Sequence, residues 1–402
     1  MPVAAGRLPV AESELVRLRS RLRLDVLLAE AFAEAGRGRF LDQDFLPNLE
    51  EVLEIPHRLP LSVMGLKGMH ANTVRWLVNR LRWEADVENH PEILDEPVTD
   101  PIVVLGLPRS GTTKLQRVLS AAPGLQSTPA WAMFNPAPFP GEARGEHHLR
   151  VAWTQAMMLT VTSTGESYRV MHEFDANEAD ESSFVPLANF DYPMQYITAP
   201  DRLFLDWARS RSRVPALTYL KRMLQYLQWQ NGGRRNRPWL LKNPGHTGEV
   251  LEMLEVFPNA TFVISQRDLA TTMASSMRMM GEIMANSIDD YDRRRMGDET
   301  VDYWAYELDR YQHQAALLGP RLRIVEATYT RCVNDALGVA REVYELARLP
   351  WTVDAETAMR AWEQRNPRHK LGAYAYRLED YGWSAEKVEA AFGPIAGQWR
   401  GR

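Results

Sequence analysis

Cysteine is almost missing from this sequence: Cys332 is the only one in 402 residues. One thiol cannot build a disulfide framework within a chain, so a reducing compartment is the expected home. No run of about 18 apolar residues occurs, so no membrane-spanning helix is expected. The N-terminal stretch MPVAAGRLPVAESELVRLRSRLRLD lacks the apolar centre of a secretory signal, and a cytoplasmic location follows as the expectation. An excess of one charge is missing too. The 47 Lys and Arg residues against 52 Asp and Glu leave a net charge of −5, so no nucleic-acid partner is expected. Internal repeats and long low-complexity segments are absent.

What is present is the composition of a globular protein, 45% hydrophobic and 25% charged. The length admits one large domain with helical additions, or two. The expected division is a helical N-terminal region over 1–98, packed on an α/β domain over 99–402. Between Glu12 and Glu34, Leu15, Leu18, Leu22, Leu27 and Leu28 recur at close to helical spacing. Residues 60–90 read as a second helix. IVVLGL, 102–107, is a short β-branched run of the kind that fills a buried parallel strand. Further strands are expected at 239–241, 261–265 and 322–329, with helices over 246–256 and the segment DLATTMASSMRMMGEIMA. Strands alternating with helices predict an α/β fold, a P-loop-like and mainly parallel sheet flanked by helices.

The strongest motif is Gly106-Leu107-Pro108-Arg109-Ser110-Gly111-Thr112-Thr113. A strand, a glycine-containing loop and a helix N-terminus together make an anion site, because loop amides converge and the helix dipole adds positive potential. The loop lacks the lysine of the nucleotide-triphosphatase pattern G-x-x-x-x-G-K-[ST]. Thr112 stands there, and the cation lies inside the loop at Arg109. The later strand TFVIS runs into Arg267 and supplies no metal-binding aspartate. A triphosphate with Mg²⁺ needs both of those groups. A phosphosulfate needs neither, since the group transferred carries less charge and no metal must bridge it.

LPRSGTT is similar to the 5'-phosphosulfate loop of sulfotransferases that use 3'-phosphoadenosine-5'-phosphosulfate (PAPS). It most resembles the tyrosylprotein and bacterial small-molecule branches, which carry arginine where aryl sulfotransferases carry lysine. The resemblance implies that Pro108, Arg109, Ser110, Gly111, Thr112 and Thr113 bind the donor, with PAP as product and no metal required. FPNATFVISQRDLATTMASS is similar to the 3'-phosphate segment of the same family. That implies Arg267 and Ser275 as the 3'-phosphate ligands, with Ser276 as the alternative. In the late segment RNPRHKLG, family members close a basic, glycine-containing loop over that phosphate, which implies Lys370 and His369; solvated surface charge is the other reading.

Lys242 and His246 lie in LLKNPGHT, after a strand, where ligands of α/β sheets bind. Arg109 and Lys242 are assigned to the charge that develops as a sulfuryl group transfers; for Lys242 the alternative is a solvated loop lysine. His246 either caps the following helix or bonds acceptor or cofactor. The acceptor hydroxyl must lose its proton to a histidine or a carboxylate. The candidates lie in MHEFDANEADE: His172 first, then Glu178, with Asp180 and Glu181 behind them. Tyrosylprotein sulfotransferases place a glutamate pair shortly after the loop helix; here that stretch reads Ser127-Thr128-Pro129-Ala130-Trp131-Ala132-Met133-Phe134, with no carboxylate. Protein tyrosine is therefore not the expected acceptor.

Four segments rich in Met and aromatics are core candidates that also stand where an acceptor would bind: 131–140, 152–161, 190–196 and 277–284. They lead to the expectation of a small apolar or amphipathic hydroxyl acceptor. The rival readings are a P-loop kinase or nucleotide hydrolase and a non-catalytic nucleotide-binding scaffold.

Overall fold

The structure is a computed structural model, and it describes residues 12–163, 174–290, 292–366 and 376–399, with backbone alone at 160–163. Its centre is one parallel sheet of four strands in the order β2-β1-β3-β4. These are β1 (Ile102–Leu105), β2 (Leu240–Lys242), β3 (Thr261–Gln266) and β4 (Ile324–Thr328). All four residues of β1 are buried, as its place between two neighbours requires. Val103 stands level with Leu241 on one side and Phe262 on the other. On the edge strand β4, Glu326 is exposed between buried Val325 and Ala327.

Alternation along β1 divides the core between the two faces of the sheet. Val103 and Leu105 belong to the larger apolar cluster, which runs from Leu18 to Trp399. Ile102 and Val104 belong to a second cluster with Leu115, Val118, Val339 and Val343. The N-terminal helices therefore share the larger core with the sheet. They are α1 (Glu12–Arg21), α2 (Leu24–Ala35), α3 (Leu46–Arg58) and α4 (Val63–Asn89). The single helix expected over 12–34 is two, because Arg23 adopts extended backbone at φ −108°, ψ 142°. That break lets Leu22 and Leu27 both turn inward.

The remaining helices that matter for the site are α5 (Thr112–Ser120), α6 (Ala130–Phe134), α7 (His148–Ser163), α8 (Leu269–Ser287) and α9 (Val353–Arg365). Two boundaries differ from expectation. Lys242 is the last residue of β2 rather than part of the loop beyond it. Residues 246–256 are not one helix: Pro244–Gly248 is a 3₁₀ turn and α-helix begins at Val250. At Gly248, where the two elements meet, a Cβ would stand 2.0 Å from Glu307 Oε2, so only glycine fits. The chain leaves β1 toward β2 and leaves β3 toward β4. The crevice beyond β1 and β3 is therefore the switch point at which open α/β sheets bind ligands. Among the described residues no helix is long and apolar enough to cross a membrane.

Candidate active site

The loop after β1 occupies that crevice. Gly106 sits at φ +131°, and a Cβ on it would stand 2.7 Å from Ser265 O and 2.8 Å from Ser110 Oγ. Arg109 takes a left-handed φ of 68°, which costs a non-glycine residue about 1–2 kcal/mol. Neighbouring side chains hold the strained loop by its carbonyls. Arg267 Nη1 donates to Arg109 O at 2.6 Å, Ser265 Oγ to Ser110 O at 2.5 Å, and Ser110 Oγ to Leu107 O at 2.6 Å. Thr247 Oγ1 accepts the Gly106 amide at 3.0 Å. With the carbonyls occupied, amides are what the loop offers. Those of Gly111, Thr112 and Thr113, at the start of α5, donate to no acceptor among the described residues. That is the electrostatic profile of an anion cradle.

The second anion device converges on the first. Arg267 follows β3, lies over the Tyr329 ring at 4.3 Å, and also donates to Tyr376 Oη at 3.3 Å. Ser275, on α8, accepts from Arg109 Nε at 3.2 Å. Ser276 Oγ reaches Pro108 O at 3.4 Å. Arg109, Arg267 and Ser275, spread over more than 160 residues of chain, thus form one bonded cluster. Lys370 and His369 lie outside the described residues.

The acidic stretch after residue 174 reaches the site by pairing with the segment that follows α5. Ala130 N donates to Glu178 O and Asp180 N to Thr128 O, an antiparallel contact centred on Pro129 and Ala179. Gln116 Nε2 of α5 and Thr128 Oγ1 both donate to Asp180 O. This pairing separates the candidate bases. Glu178 turns to α9, where Trp362 Nε1 donates to it at 3.2 Å. Buried Asp180 turns its Oδ1 back to the Glu181 amide at 2.7 Å. Glu181 Oε1 meets Lys242 Nζ at 2.7 Å. His172 lies outside the described residues. Of the acids named from the sequence, Glu181 stood with Asp180 behind Glu178, yet it is the one that reaches Lys242. Its neighbour Asp180 is bonded to Thr128, so Glu181 follows directly on a residue paired with the stretch 127–134, which has no carboxylate of its own.

Lys242 is only 2% exposed, so its ammonium is aimed rather than solvated. Below it lies a buried network. His246 is fully buried; its Nε2 meets Ser182 Oγ at 2.9 Å and its Nδ1 meets Glu249 Oε1 at 2.5 Å. Tyr192 donates its phenol to the same Glu249 oxygen at 2.7 Å and accepts from Asn243 Nδ2 at 2.9 Å. Arg213 stands 3.5 Å from Glu249 Oε2 and is paired with Glu307 at 2.7 Å. Burial pushes the Glu249 carboxyl up, but His246 and Arg213 outweigh it and hold the group below its ordinary value. Burial first, and Glu249 second, push the Tyr192 phenol well up. With both ring nitrogens engaged, His246 neither caps a helix nor faces an acceptor. It acts on the site through Ser182, the neighbour of Glu181.

Most of the Met-rich and aromatic segments are core. Trp131, Met133, Phe190, Tyr196, Met277, Met280 and Met284 are all buried in the larger cluster. The exception is a small separate cluster of Ala130, Phe134 and Met158, with half-buried Met157, Phe174 and Phe184 against it. It adjoins Glu181 through Phe184, at the end of the 3₁₀ turn Ser182–Phe184. No group of three or more His, Cys, Asp or Glu side chains among the described residues is placed to hold a metal ion.

A sequence model described as the sulfotransferase family matches residues 101–353, from the start of β1 to the start of α9. The chain belongs to the sulfotransferase family. Among solved structures, sulfotransferase STF9 from Mycobacterium avium is 25% identical, with a TM-score of 0.80 over 92% of this chain and 95% of that one. Sulfotransferase STF1 from Mycobacterium tuberculosis H37Rv is 24% identical, with a TM-score of 0.78 over 92% of this chain and 98% of the other. No curated protein sequence matches this sulfotransferase. The structural likeness takes in the N-terminal helices as well as the sheet.

Proposed function

We propose that this sulfotransferase moves a sulfuryl group from PAPS to a hydroxyl of a small apolar or amphipathic acceptor by in-line transfer. The observation that carries the reading is the 2.7 Å Lys242–Glu181 pair, set at the end of β2 beside the loop of β1. The residues present fit the donor. The amides of Gly111 to Thr113 suit the 5'-phosphosulfate, and Arg267 with Ser275 suits a 3'-phosphate. PAPS supplies an electrophilic sulfur on a phosphate leaving group.

Glu181 accepts the proton that the acceptor hydroxyl loses as its oxygen bonds to sulfur. Lys242 and Arg109 would face the bridging oxygen of a bound donor, which would keep the electrons of the broken S–O bond. Two fixed cations at that oxygen act where negative charge grows, and they need little reorganisation to do so. In the resting site Glu181 holds the Lys242 ammonium in place. Ser182, bonded to Lys242 O at 3.2 Å and to His246, fixes the backbone on which both side chains stand. The half-buried rings of Phe174 and Phe184 form the apolar wall beside the base.

The test is calorimetric titration with PAP against ATP–Mg²⁺, followed by transfer of labelled sulfate from PAPS to a panel of hydroxyl compounds with and without EDTA. PAP binding without ATP binding, and transfer that EDTA leaves unchanged, are expected. Preference for ATP–Mg²⁺ would hand the loop to the kinase or hydrolase reading. PAP binding without transfer to any acceptor would point to a scaffold.

A further inference from the structure

Arg75 sits in the middle of α4, on the far side of the small apolar cluster from Glu181. Its guanidinium stands over three rings: Phe134 at 5.3 Å, Trp76 at 5.6 Å and Trp153 at 5.8 Å. Its hydrogen bonds go to neutral oxygens, Phe134 O and Asn72 Oδ1. No carboxylate among the described residues pairs with it. As an arginine it is a cation at neutral pH, held among aromatic rings with no counter-charge among the described residues. Rings and neutral acceptors recover only part of what a guanidinium loses on leaving water.

Arg80, further along the same helix, makes the contrast clear. It is fully buried between the Phe45 and Tyr219 rings, at 4.1 and 4.2 Å, where nothing from outside can reach it. Arg75 is only half-buried, and Trp153 beside it is 37% exposed. An anion can approach it from the open side.

The approach leads to the proposed reaction centre. Phe134, under Arg75, stacks on Phe184 with centroids 4.3 Å apart. Phe184 ends the 3₁₀ turn that begins just after Glu181. Arg75 and Glu181 are thus linked through the stacked rings of Phe134 and Phe184. An apolar strip thus has a proton acceptor beside a buried lysine at one end and, at the other, an arginine with no counter-charge among the described residues.

We propose that Arg75 receives a carboxylate of the acceptor, so that the sulfated molecule is an elongated hydroxy acid with an apolar body. This rests on the sulfotransferase reading above and narrows its acceptor class. The planar fork of Arg75 suits a carboxylate's two oxygens, and the strip of Phe134, Phe184, Met157 and Met158 takes the body between. A neutral alcohol of the same length fills the strip but leaves the cation unpaired. The hydroxyl then enters at Glu181 because the other end is anchored, which is positioning paid by binding energy remote from the reacting atoms.

The experiment compares ω-hydroxydodecanoate with its methyl ester, in calorimetry on the PAP-loaded protein and in transfer from labelled PAPS. The acid is expected to bind at least tenfold more tightly than the ester, and R75Q is expected to erase that preference. R75K, which keeps the charge but loses the fork, is expected to retain part of it. PAP affinity of each variant reports whether its fold is intact; if R75Q fails that check, R75K alone carries the comparison. Equal affinity of the wild type for acid and ester, or a preference that survives intact in R75Q, would overturn the proposal. The parent reading fails separately, by the absence of both PAP binding and sulfated product, whereas transfer to acid and ester alike would leave it standing while removing the role of Arg75.

Discussion

Replacing Glu181 by Gln changes little in shape and removes one negative charge. The carboxylate it removes is 2.7 Å from Lys242 Nζ and 21% exposed as a side chain. The substitution has two effects with different readouts. On stability, deleting one partner of a fully buried pair costs about 3–5 kcal/mol. Here the glutamine oxygen can still accept from Lys242 and Glu181 keeps contact with water, so about 1–2 kcal/mol is expected. On catalysis, loss of a positioned general base costs a factor of about 10²–10⁴ in kcat, or roughly 3–5 kcal/mol of barrier. The assay is the initial rate of labelled sulfate transfer at saturating PAPS, with a thermal scan and a PAP titration on the same preparation. PAP affinity should stay within about threefold, since Glu181 makes no bond to the loop after β1. Glu178→Gln is the control: that carboxylate faces Trp362 and Arg117, and kcat should hardly move. If E181Q turned over within threefold of wild type while E178Q fell, the base would not be Glu181, and the sequence order that put His172 and Glu178 first would regain its place.

Gly106→Ala should abolish PAP binding and lower the thermal midpoint. A Cβ there meets Ser265 O at 2.7 Å on backbone at φ +131°, a cost of about 2–4 kcal/mol from strain and overlap together; a variant that binds PAP normally would refute the loop geometry. Arg267→Ala should weaken PAP much more than adenosine phosphosulfate, which lacks the 3'-phosphate. Some loss for both is expected, because Arg267 also braces Arg109 O; equal losses would remove the 3'-phosphate assignment. Glu249→Gln should destabilise the protein at pH 7. The folded-state pKa of Glu249 is held below its ordinary 4.5, so its contribution is complete above that value and fades as pH falls through the lower one. Denaturant titrations should therefore show the gap between variant and wild type narrowing as pH falls below 4.5; a gap that is constant with pH would mean the carboxylate is not held ionised by His246 and Arg213.

Much of this was legible in the chain. The short β-branched run at β1, followed by glycines at 106 and 111 and a helical pattern, specifies a strand, a loop and a helix through local preferences alone. The parallel sheet follows from the alternation of such units. Arg267 and Ser275 are legible only through the likeness of FPNATFVISQRDLATTMASS to a 3'-phosphate segment, because an arginine and a serine eight residues apart carry little signal by spacing alone. The boundary errors share one cause. Arg23 interrupts a helix between buried Leu22 and Leu27, and Gly248 packs against the Glu307 carboxylate; both sites are shaped by groups distant in sequence.

The choice of base lies on the other side of that line. MHEFDANEADE carries its acids close together, and no local rule says which of them faces Lys242. Tertiary packing decides it. The pairing of Thr128 to Trp131 with Ala176 to Asp180 sends Glu178 outward to Trp362 and turns Asp180 back to the chain, and it leaves Glu181 at the ammonium. A ranking by residue type cannot see an antiparallel contact formed across some fifty residues. The role of His246 was hidden for the same reason: its partners Ser182 and Glu249 come from two segments, and the ring is buried between them. The sequence by itself therefore determined the sheet, the loop after β1 and the family, since each is written in contiguous residues. Only the tertiary structure decided which carboxylate meets Lys242, because a hydrogen bond between distant segments exists only when the rest of the chain has folded around it.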